Sequence, residues 1–263
     1  MSNSRVIYIS SNDKEDAESE SNSNFVCYLK ERVSVQESNF AILKTITIPN
    51  FFYNVRAANY GSDLQNDTLV FSEVAPPATF AVSVPAGQYL IQDYITALEN
   101  AMNAVLVSGT VSINQDPVDG KLTFVCAGTQ ITIFSGDNGN TAYELIGQPK
   151  STNSLTSGIV PMPFLPDLSG IQNVYIESRE LGPAQGNDPT AGLINIIGQV
   201  NLSDTEFGQY AHFQANNDEL ATLNYKNERN IERIDIRVVD DRGNTLPVGN
   251  SRVSLSLKYF FNE

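Results

Sequence analysis

The sequence predicts an all-β fold, a single jelly-roll sandwich with an inserted helix and extra short strands. Many short apolar segments of alternating polarity are separated by turns rich in Gly, Pro, Asn and Asp, which is typical of a sandwich. Only one long segment has a helical period. The 11 Tyr and 13 Phe residues, beside many Val, Ile and Thr, also favour strands.

The two clearest strand patterns lie near the C-terminus. Ile234, Ile236 and Val238 form one alternating series. A second series follows, made of Val253, Leu255, Leu257 and Tyr259. Each series turns one face inward, and residues 240–247 between them form a predicted turn. Because an unpaired terminus frays, an apolar last strand predicts a wide sheet or barrel closed by this element.

The remaining elements follow from the same reasoning. The predicted helix is recognised by apolar residues at three- and four-residue spacing: Ile91, Ile95, Leu98, Met102 and Val105. A short helical turn is predicted over 141–146 with Gly147 as its C-cap, and an extended connection over 148–166. Further strands are predicted over 6–9, 25–29, 40–48, 68–74, 79–84, 110–113, 121–126, 130–134, 172–178, 193–200 and 209–213.

The pattern also predicts a domain organisation. Residues 1–23 are expected to form a mobile acidic N-terminal arm, because 11–24 are almost all polar and cannot bury surface. Residues 24–263 are expected to form one jelly-roll domain, with a helix-containing insertion near 85–150. The strand-like segment 6–9 pairs either within its own domain or with the sheet of a neighbouring subunit, and both alternatives stay open.

Composition excludes several classes of function. The chain has 263 residues and a formal net charge of −14, so direct binding to nucleic acid, which depends on clustered Lys and Arg, is not expected to be its main role. No window reaches the apolar length of a membrane span, and the first ten residues lack the order of a signal peptide. The expected location of synthesis is a cytosol-like compartment.

The sequence gives little support to catalysis or to tightly bound metal. The one histidine, His212, has no acid or serine motif beside it, so a structural role is favoured. Cys27 and Cys126 lie in apolar strand-like segments and are expected to be buried free thiols. Two cysteines and one histidine cannot form a CxxC-type zinc site. The chain has no phosphate-binding, nucleophile-elbow or His-Glu-x-x-His motif.

Clustered acids and turn residues offer weaker candidates. Asp240 with Asp241, and Asp218 with Glu219, are adjacent pairs that are expected to be solvated in turns. The loops 116–120 and 137–140 contain Asp, Asn and Gly that could ligate calcium, but turns require the same residues and the EF-hand spacing is absent. Arg242-Gly-Asn244 is expected to turn the chain. No catalytic, cofactor-binding or metal-binding residue is therefore assigned.

The order of these elements resembles that of penton-like minor capsid proteins of virophages, polinton-type viruses and related double-stranded DNA viruses. The resemblance covers residues 24–261 and is carried by the order of several segments. These are Phe40-Ala-Ile-Leu-Lys-Thr-Ile-Thr-Ile-Pro-Asn-Phe-Phe-Tyr-Asn54, Val84-Pro-Ala-Gly-Gln-Tyr89 before the helix, Ala142-Tyr-Glu-Leu-Ile-Gly147, Ile171-Gln-Asn-Val-Tyr-Ile-Glu-Ser178, Leu193-Ile-Asn-Ile-Ile197 and a closing hairpin over 234–261.

This resemblance implies a non-enzymatic structural virion protein, a jelly roll that forms the five-fold vertex of an icosahedral capsid. It also implies a homopentamer, contacts with trimers of the major capsid protein and with other minor capsid proteins, and a location in the virion after synthesis in the host cytoplasm. No cofactor, nucleic-acid contact or membrane span is implied. Segment 40–48 is apolar at both parities. Its second face could be covered by the inserted helix or by another subunit, or the segment could be a strand inside a monomeric sandwich, and these alternatives stay open.

Two alternatives stay open. A minor capsid protein elsewhere in the same shell could share the jelly roll. A ligand- or carbohydrate-binding jelly-roll module would account for the many tyrosines and for the loops rich in Asp and Asn. A hydrolase on a β scaffold has only scattered carboxylates to support it.

Overall fold

Strands are the main regular element of the computed structural model, which describes residues 3–35, 40–58, 64–151, 154–181, 195–214, 222–224 and 229–261. Within these residues the strands are accompanied by two helices and by short 3₁₀ turns such as Ser11–Asp13 and Gly136–Asn138. In chain order the elements are β1 (Asn3–Ser10), β2 (Asn24–Val35), β3 (Phe40–Pro49), β4 (Thr68–Glu73), β5 (Ala78–Ser83), α1 (Ile91–Asn103), β6 (Thr110–Gln115), β7 (Leu122–Ala127), β8 (Ile131–Ile133), α2 (Tyr143–Ile146), β9 (Leu155–Ser157), β10 (Ile159–Pro161), β11 (Asn173–Glu177), β12 (Ile196–Asn201), β13 (Tyr210–Gln214), β14 (Thr222–Asn224), β15 (Arg229–Val239) and β16 (Ser254–Phe261).

The chain divides into two compact units. Unit 1 consists of Met1–Phe52 together with Ile171–Glu263, and unit 2 consists of Tyr53–Gly170. Unit 2 is thus inserted in the sequence between β3 and β11. The predicted division, an arm over 1–23 and a domain over 24–263 with an insertion near 85–150, stays a prediction.

Unit 1 has the strand order of a jelly roll. One sheet has the order β1-β16-β3-β13, with β14 also paired to β3, and the other has the order β12-β11-β15-β2. All the pairs are antiparallel: β1 with β16, β2 with β15, β3 with β13 and β11 with β12. This is the pairing that results when a long antiparallel ribbon wraps around one core. The all-β, jelly-roll prediction is confirmed.

The core of unit 1 lies between these two sheets and follows the predicted alternation. Ile234, Ile236 and Val238 on β15 are buried. On β16 the buried apolar residues are Leu255, Leu257 and Tyr259, as predicted. Gly198 on β12 lies against the other sheet, and a Cβ there would be 2.3 Å from Leu43 Cδ2. The absence of a side chain at this position therefore lets the two sheets approach closely.

One predicted pairing is wrong. Strands β15 and β16 were expected to form a closing hairpin, but they belong to different sheets. Only a small turn follows β15, with a bridge between Val239 and Thr245, after which the chain crosses to the other sheet. Strand β16 then lies between β1 and β3, so the prediction that the last strand lies inside a sheet is confirmed, whereas this sheet is open and β16 does not close it.

Strand β3 is buried on both faces near its start. Ala41, Ile42 and Leu43 are all inaccessible to solvent. The register of β16 shifts here, from Thr45 opposite Ser256 to Leu43 opposite Leu257, so Lys44 is an extra residue in a β-bulge. A bulge reverses which alternate residues face inward, so odd-numbered residues face the core before it and even-numbered residues after it.

Unit 2 is a second, smaller pair of antiparallel sheets with its own core. The sheets have the orders β5-β4-β8-β9 and β10-β7-β6. Between them lie Phe71, Phe124 and Tyr94 of α1, all fully buried. Three apolar positions of the predicted helix, Ile95, Leu98 and Met102, contribute to the same core.

Polar side chains of α1 also cover an edge strand. Asn103 accepts a hydrogen bond from the backbone N–H of Val111 at 2.7 Å and donates one to its carbonyl at 2.8 Å. Glu99 accepts from the N–H of Ile113. Because β6 is an edge strand of its sheet, these contacts satisfy backbone groups that have no strand partner on that side.

Most strand predictions agree with the structure to within a few residues. One exception is β2, which extends to Val35, six residues beyond the predicted 25–29. The others are the shortest strands: β9 and β10 lie in the segment predicted as an extended connection, and β14 was not predicted. Residues 193 and 194 of the predicted strand 193–200 lie outside the described residues.

Gly147 ends α2 at a point where no side chain fits. Its φ is +80°, and a Cβ would lie 2.1 Å from the backbone oxygen of Phe164. The predicted C-cap is therefore confirmed, and the close approach adds a second reason for glycine.

We expect Gly147→Ala to lower the free energy of unfolding of unit 2 by about 3 kcal/mol or more, from the left-handed backbone and the clash together. Gly139→Ala is the matched control, because Gly139 also has positive φ (+89°) but its nearest atom would be Val70 Cγ2 at 3.9 Å. The control should cost only about 1 kcal/mol in a urea titration followed by circular dichroism. Equal costs for the two variants would contradict the steric explanation.

Candidate assembly surfaces

The predicted chemical candidates do not come together in a catalytic arrangement. His212 is exposed on β13, and its Nδ1 lies 2.7 Å from the hydroxyl of Thr47, its cross-strand neighbour. In the part of the chain that the structure describes, no group of three or more His, Cys, Asp or Glu side chains could hold a metal ion. His212 therefore has a hydrogen-bonding role in the sheet.

The acidic loops are turns held by their own side chains. Asp116 Oδ1 accepts from the backbone N–H groups of Val118 and Asp119, which closes the turn between β6 and β7. In the second loop Asn140 is buried and donates to the carbonyl of Phe134 and to Gln148 Oε1. These contacts give both loops a structural explanation.

The turn after β15 differs from expectation in one respect. Asp240 is buried, and its carboxylate accepts hydrogen bonds from the backbone N–H groups of Arg242 and Asn244 and from the Asn244 side chain. The expectation that this acid is solvated is therefore wrong. Gly243 has φ +81°, which confirms the turn role of 242–244. The other pair, Asp218 and Glu219, lies outside the described residues.

Both cysteines are buried free thiols, as predicted. Burial raises the pKa of the Cys27 thiol from its ordinary value of 9.0 to about 11, and the negative charge of Asp13 adds to the effect. Burial also raises the pKa of Cys126. Since the thiolate is the reactive form, neither position suits a nucleophile.

We expect both thiols of the folded protein to react with Ellman's reagent at pH about 8 at least about 100-fold more slowly than the same thiols of the protein unfolded in urea.

The raised pKa of Cys27 also makes the free energy of unfolding depend on pH. Its contribution to stability is fully present below pH 9 and is progressively lost as the pH rises towards 11. Cys27→Ala should therefore reduce the loss of stability in this alkaline range. Cys126→Ala identifies which thiol reacts, and prompt labelling of Cys27 in the folded protein would contradict its burial.

The outer face of the four-stranded sheet in unit 1 carries charged groups that pair with one another. Arg237 donates to Glu177 at 2.9 Å and to the carbonyl of Gly243 at 2.6 Å. Asp235 accepts from the Ser178 hydroxyl and from two backbone N–H groups after β11. Hydrogen bonding to Glu180 raises the pKa of Arg233. Charges on this face are therefore largely satisfied within the chain.

The acidic segment 13–20 lies along the edge of the same sheet. The N–H of Glu15 donates to the carbonyl of Val26 at 2.7 Å, and the Ser19 hydroxyl accepts from the N–H of Val26. Glu18 accepts from the Tyr28 hydroxyl at 2.6 Å and pairs with Arg233 at 3.3 Å. Because β2 is the last strand of its sheet, the segment covers an edge that another strand could otherwise extend.

The outer face of the five-stranded sheet is different, because it exposes large apolar side chains. Tyr8 is 81% exposed, Val6 44% and Tyr210 49%. Tyr210 lies edge-on to Phe51, with ring centroids 6.2 Å apart, and Phe51 contacts Phe207 at 6.3 Å. We call this surface, which extends from Val6 and Tyr8 on β1 to Tyr210 on β13, the tyrosine face.

Unit 2 has an exposed apolar patch of its own. Val118, at the tip of the β6–β7 turn, is 93% exposed, and Leu90, Phe164 and Leu165 are also exposed. Leu165 lies against the turn, since a Cβ on Gly120 would be 3.0 Å from its Cδ2. Exposed apolar side chains that lie together, as Leu165 and this turn do, are typical of contact surfaces.

A buried asparagine joins two of the segments on which the capsid-protein resemblance depends. Asn54, at the end of segment 40–54, accepts from the N–H of Tyr89 at 2.9 Å and donates to its carbonyl at 2.8 Å. It also donates to the carbonyl of Leu168 at 3.1 Å. No motif in the sequence indicates this role, and the only signal is the polar Asn54 between the aromatic Tyr53 and the apolar Val55.

Asn54→Ala should lower the free energy of unfolding of unit 2 by about 3 kcal/mol, because one N–H and two carbonyls would lose their buried partner. Asn114→Ala, an exposed site on β6, is the control and should change stability by no more than about 0.5 kcal/mol. Urea titrations of both variants measure the difference. A cost at Asn54 as small as that at Asn114 would show that its hydrogen bonds do not stabilise the unit.

The comparisons with known proteins give one informative result. No protein-family model matches the chain, and no curated protein matches its sequence. Among solved structures it is similar to the crystal structure of the selenomethionine-labelled mavirus penton protein, with a TM-score of 0.50 and 10% sequence identity. The alignment covers 98% of this chain and 100% of that chain. The predicted resemblance to penton-like proteins is thus confirmed at the level of the fold.

No helix in the described residues is both long and apolar enough to cross a membrane.

Proposed function

We propose that this chain is a non-enzymatic capsid protein and forms the penton at the five-fold vertices of an icosahedral shell. The observation that carries the proposal is the likeness to the mavirus penton protein, which extends over nearly the whole of both chains. It therefore includes the insertion between β3 and β11 as well as the jelly roll, and not only a strand order that many unrelated proteins share.

The surfaces of unit 1 are consistent with this role. A ring subunit needs two different contact surfaces, because each copy meets its neighbours in a head-to-tail manner. The tyrosine face and the covered edge of β2 lie on different sheets and differ in chemistry.

The proposal includes partners and a location. A vertex protein contacts copies of itself and the surrounding major capsid protein trimers, and other minor capsid proteins are further candidate neighbours. The proposed location is the virion, after synthesis in the host cytoplasm. Neither nucleic acid nor membrane is a proposed partner, in keeping with the net charge of −14.

We expect light scattering of the purified protein to give a particle of five times the chain mass of 28.8 kDa at high concentration. Virus particles fractionated in the same way should contain the chain, and labelling should place it only at the vertices. A protein that is absent from purified particles would contradict the proposal, whatever its mass in solution. Placement elsewhere in the shell would favour a different minor capsid role.

A further inference from the structure

Residues 12–22, which we call the edge cover, run along β2 between two fixed points. Ser11 and Ser23 are buried, with exposed fractions of 1% and 2%. The backbone N–H of Ser11 donates to the carbonyl of Val253 at 2.9 Å, and its hydroxyl accepts from the N–H of Val253 at 3.1 Å. The carbonyl of Ser23 accepts from the N–H of Val238 at 2.8 Å. Both ends of the edge cover are therefore held by the sandwich itself.

Between these points the edge cover occupies backbone groups of β2 that a partner strand would use. The N–H of Val26 donates to the Ser19 hydroxyl at 3.1 Å, and the carbonyl of Val26 accepts from the N–H of Glu15 at 2.7 Å. Two residues earlier, the N–H of Asn24 donates to the Ser21 hydroxyl and its carbonyl accepts from the N–H of Ser21, both at 3.1 Å. Alternate residues of an edge strand direct both groups away from the sheet, so the cover satisfies the free edge of β2.

The edge cover has little else to hold it closed. None of its side chains is buried, and Ala17 is its only apolar residue. Residues 13–20 contain five acids and one base, which repel one another along the segment. Glu18 contacts the Tyr28 hydroxyl at 2.6 Å and Arg233 at 3.3 Å, and exposed pairs of this kind contribute little. Segments with so few buried apolar contacts open locally while the rest of the fold stays intact.

An uncovered edge of β2 is complementary to itself. In an antiparallel ladder, two residues that face each other in a hydrogen-bonded pair exchange both N–H to carbonyl bonds. Val26 of one copy can therefore face Val26 of a second copy across a two-fold axis. Strand β2 has 12 residues, about twice the usual length, and long free edges of this kind are templates for pairing between chains.

We propose that the edge cover is a hinged device that keeps the β2 edge of one copy from pairing with the β2 edge of a second copy. It opens between Ser11 and Ser23 and leaves the sandwich folded. Its acids have a role in the closed state, because the covers of two copies repel each other. The proposal is independent of the vertex role and holds for any setting in which copies of the chain are crowded.

The test opens the cover without changing β2. Ser19→Ala combined with Glu18→Gln removes the acceptor of the Val26 N–H and the charge that faces Arg233. The Val26 amide of this double variant should exchange its hydrogen at least about tenfold faster in NMR, whereas the amides of β16 should exchange as in the wild type. In light scattering at equal concentration, the mass of its particles should rise at least about twofold, because uncovered edges pair.

Two variants verify that pairing uses the edge of β2. Val26→Pro, added to the double variant, removes an N–H that faces the free edge, a position at which edge strands tolerate proline. The particle mass should then return to the wild-type value. Ser19→Thr keeps a hydroxyl at the acceptor position and should exchange and associate like the wild type.

A matched control makes the same chemical changes elsewhere in unit 1. Ser203→Ala with Glu206→Gln removes one hydroxyl and one negative charge from exposed positions between β12 and β13. This pair should alter neither the exchange of the Val26 amide nor the particle mass. The urea midpoint of the variant opened at Ser19 and Glu18 should also equal that of the wild type, because the cover opens separately from the sandwich.

Several results would overturn the proposal. They are an unchanged exchange rate at Val26 in the double variant, faster exchange with no rise in mass up to about 1 mM, and a rise in mass that persists after Val26→Pro. A fall in the urea midpoint that accompanies the faster exchange would also overturn it, since the segment would then unfold with the whole unit. Absence of the chain from virus particles, in contrast, bears on the vertex role alone.

Discussion

The position of β16 between β1 and β3 is the constraint on which the jelly roll of unit 1 depends. Both edges of β16 are paired, and its inward residues Leu255, Leu257 and Tyr259 are buried between the two sheets. Its partners lie near the opposite end of the sequence, so the sandwich forms only when distant segments meet. Such non-local pairing makes folding slow, so unpaired strand edges stay exposed for longer while the chain folds. The edges of the sheets therefore need protection against pairing with other chains.

Asn54 explains how a second compact unit can be inserted into this arrangement. Unit 2 begins at Tyr53 and ends at Gly170. Asn54 bonds to Leu168, and a Cβ on Gly170 would lie 3.4 Å from the Cβ of Asn54, so the two ends of the unit are adjacent. An insertion with adjacent ends occupies the place of a single loop and does not require the host strands to separate. One buried side chain thus holds the beginning and the end of unit 2 together.

The sequence was sufficient to predict most individual strands, because the alternation of apolar and polar residues indicates directly which side chains face a core. Ile234, Ile236 and Val238 show this clearly. Alternation does not report which strand lies alongside, so the sheet change between β15 and β16 could not be read from it. The shortest strands, such as β9, are too short for a period to be visible. The burial of Asp240 depends on backbone N–H groups within its own turn, which residue type alone does not indicate. The role of Asn54 depends on backbone groups of Tyr89 and Leu168, which are distant in the sequence.

The two sheets of unit 1 occupy equivalent positions in the sandwich, but their outer faces can contribute differently to assembly. On the four-stranded sheet, Arg237 and Arg233 already pair with acids of the same chain, so a partner would gain little from contacting them and would have to displace existing bonds. On the five-stranded sheet, Tyr8 and Tyr210 are exposed to solvent in the single chain. Their burial against a partner would therefore contribute hydrophobic free energy to binding. Net charge alone would not reveal this difference, because the chain is acidic as a whole. It arises because the acids are excluded from one set of strands and concentrated along the edge of the other sheet.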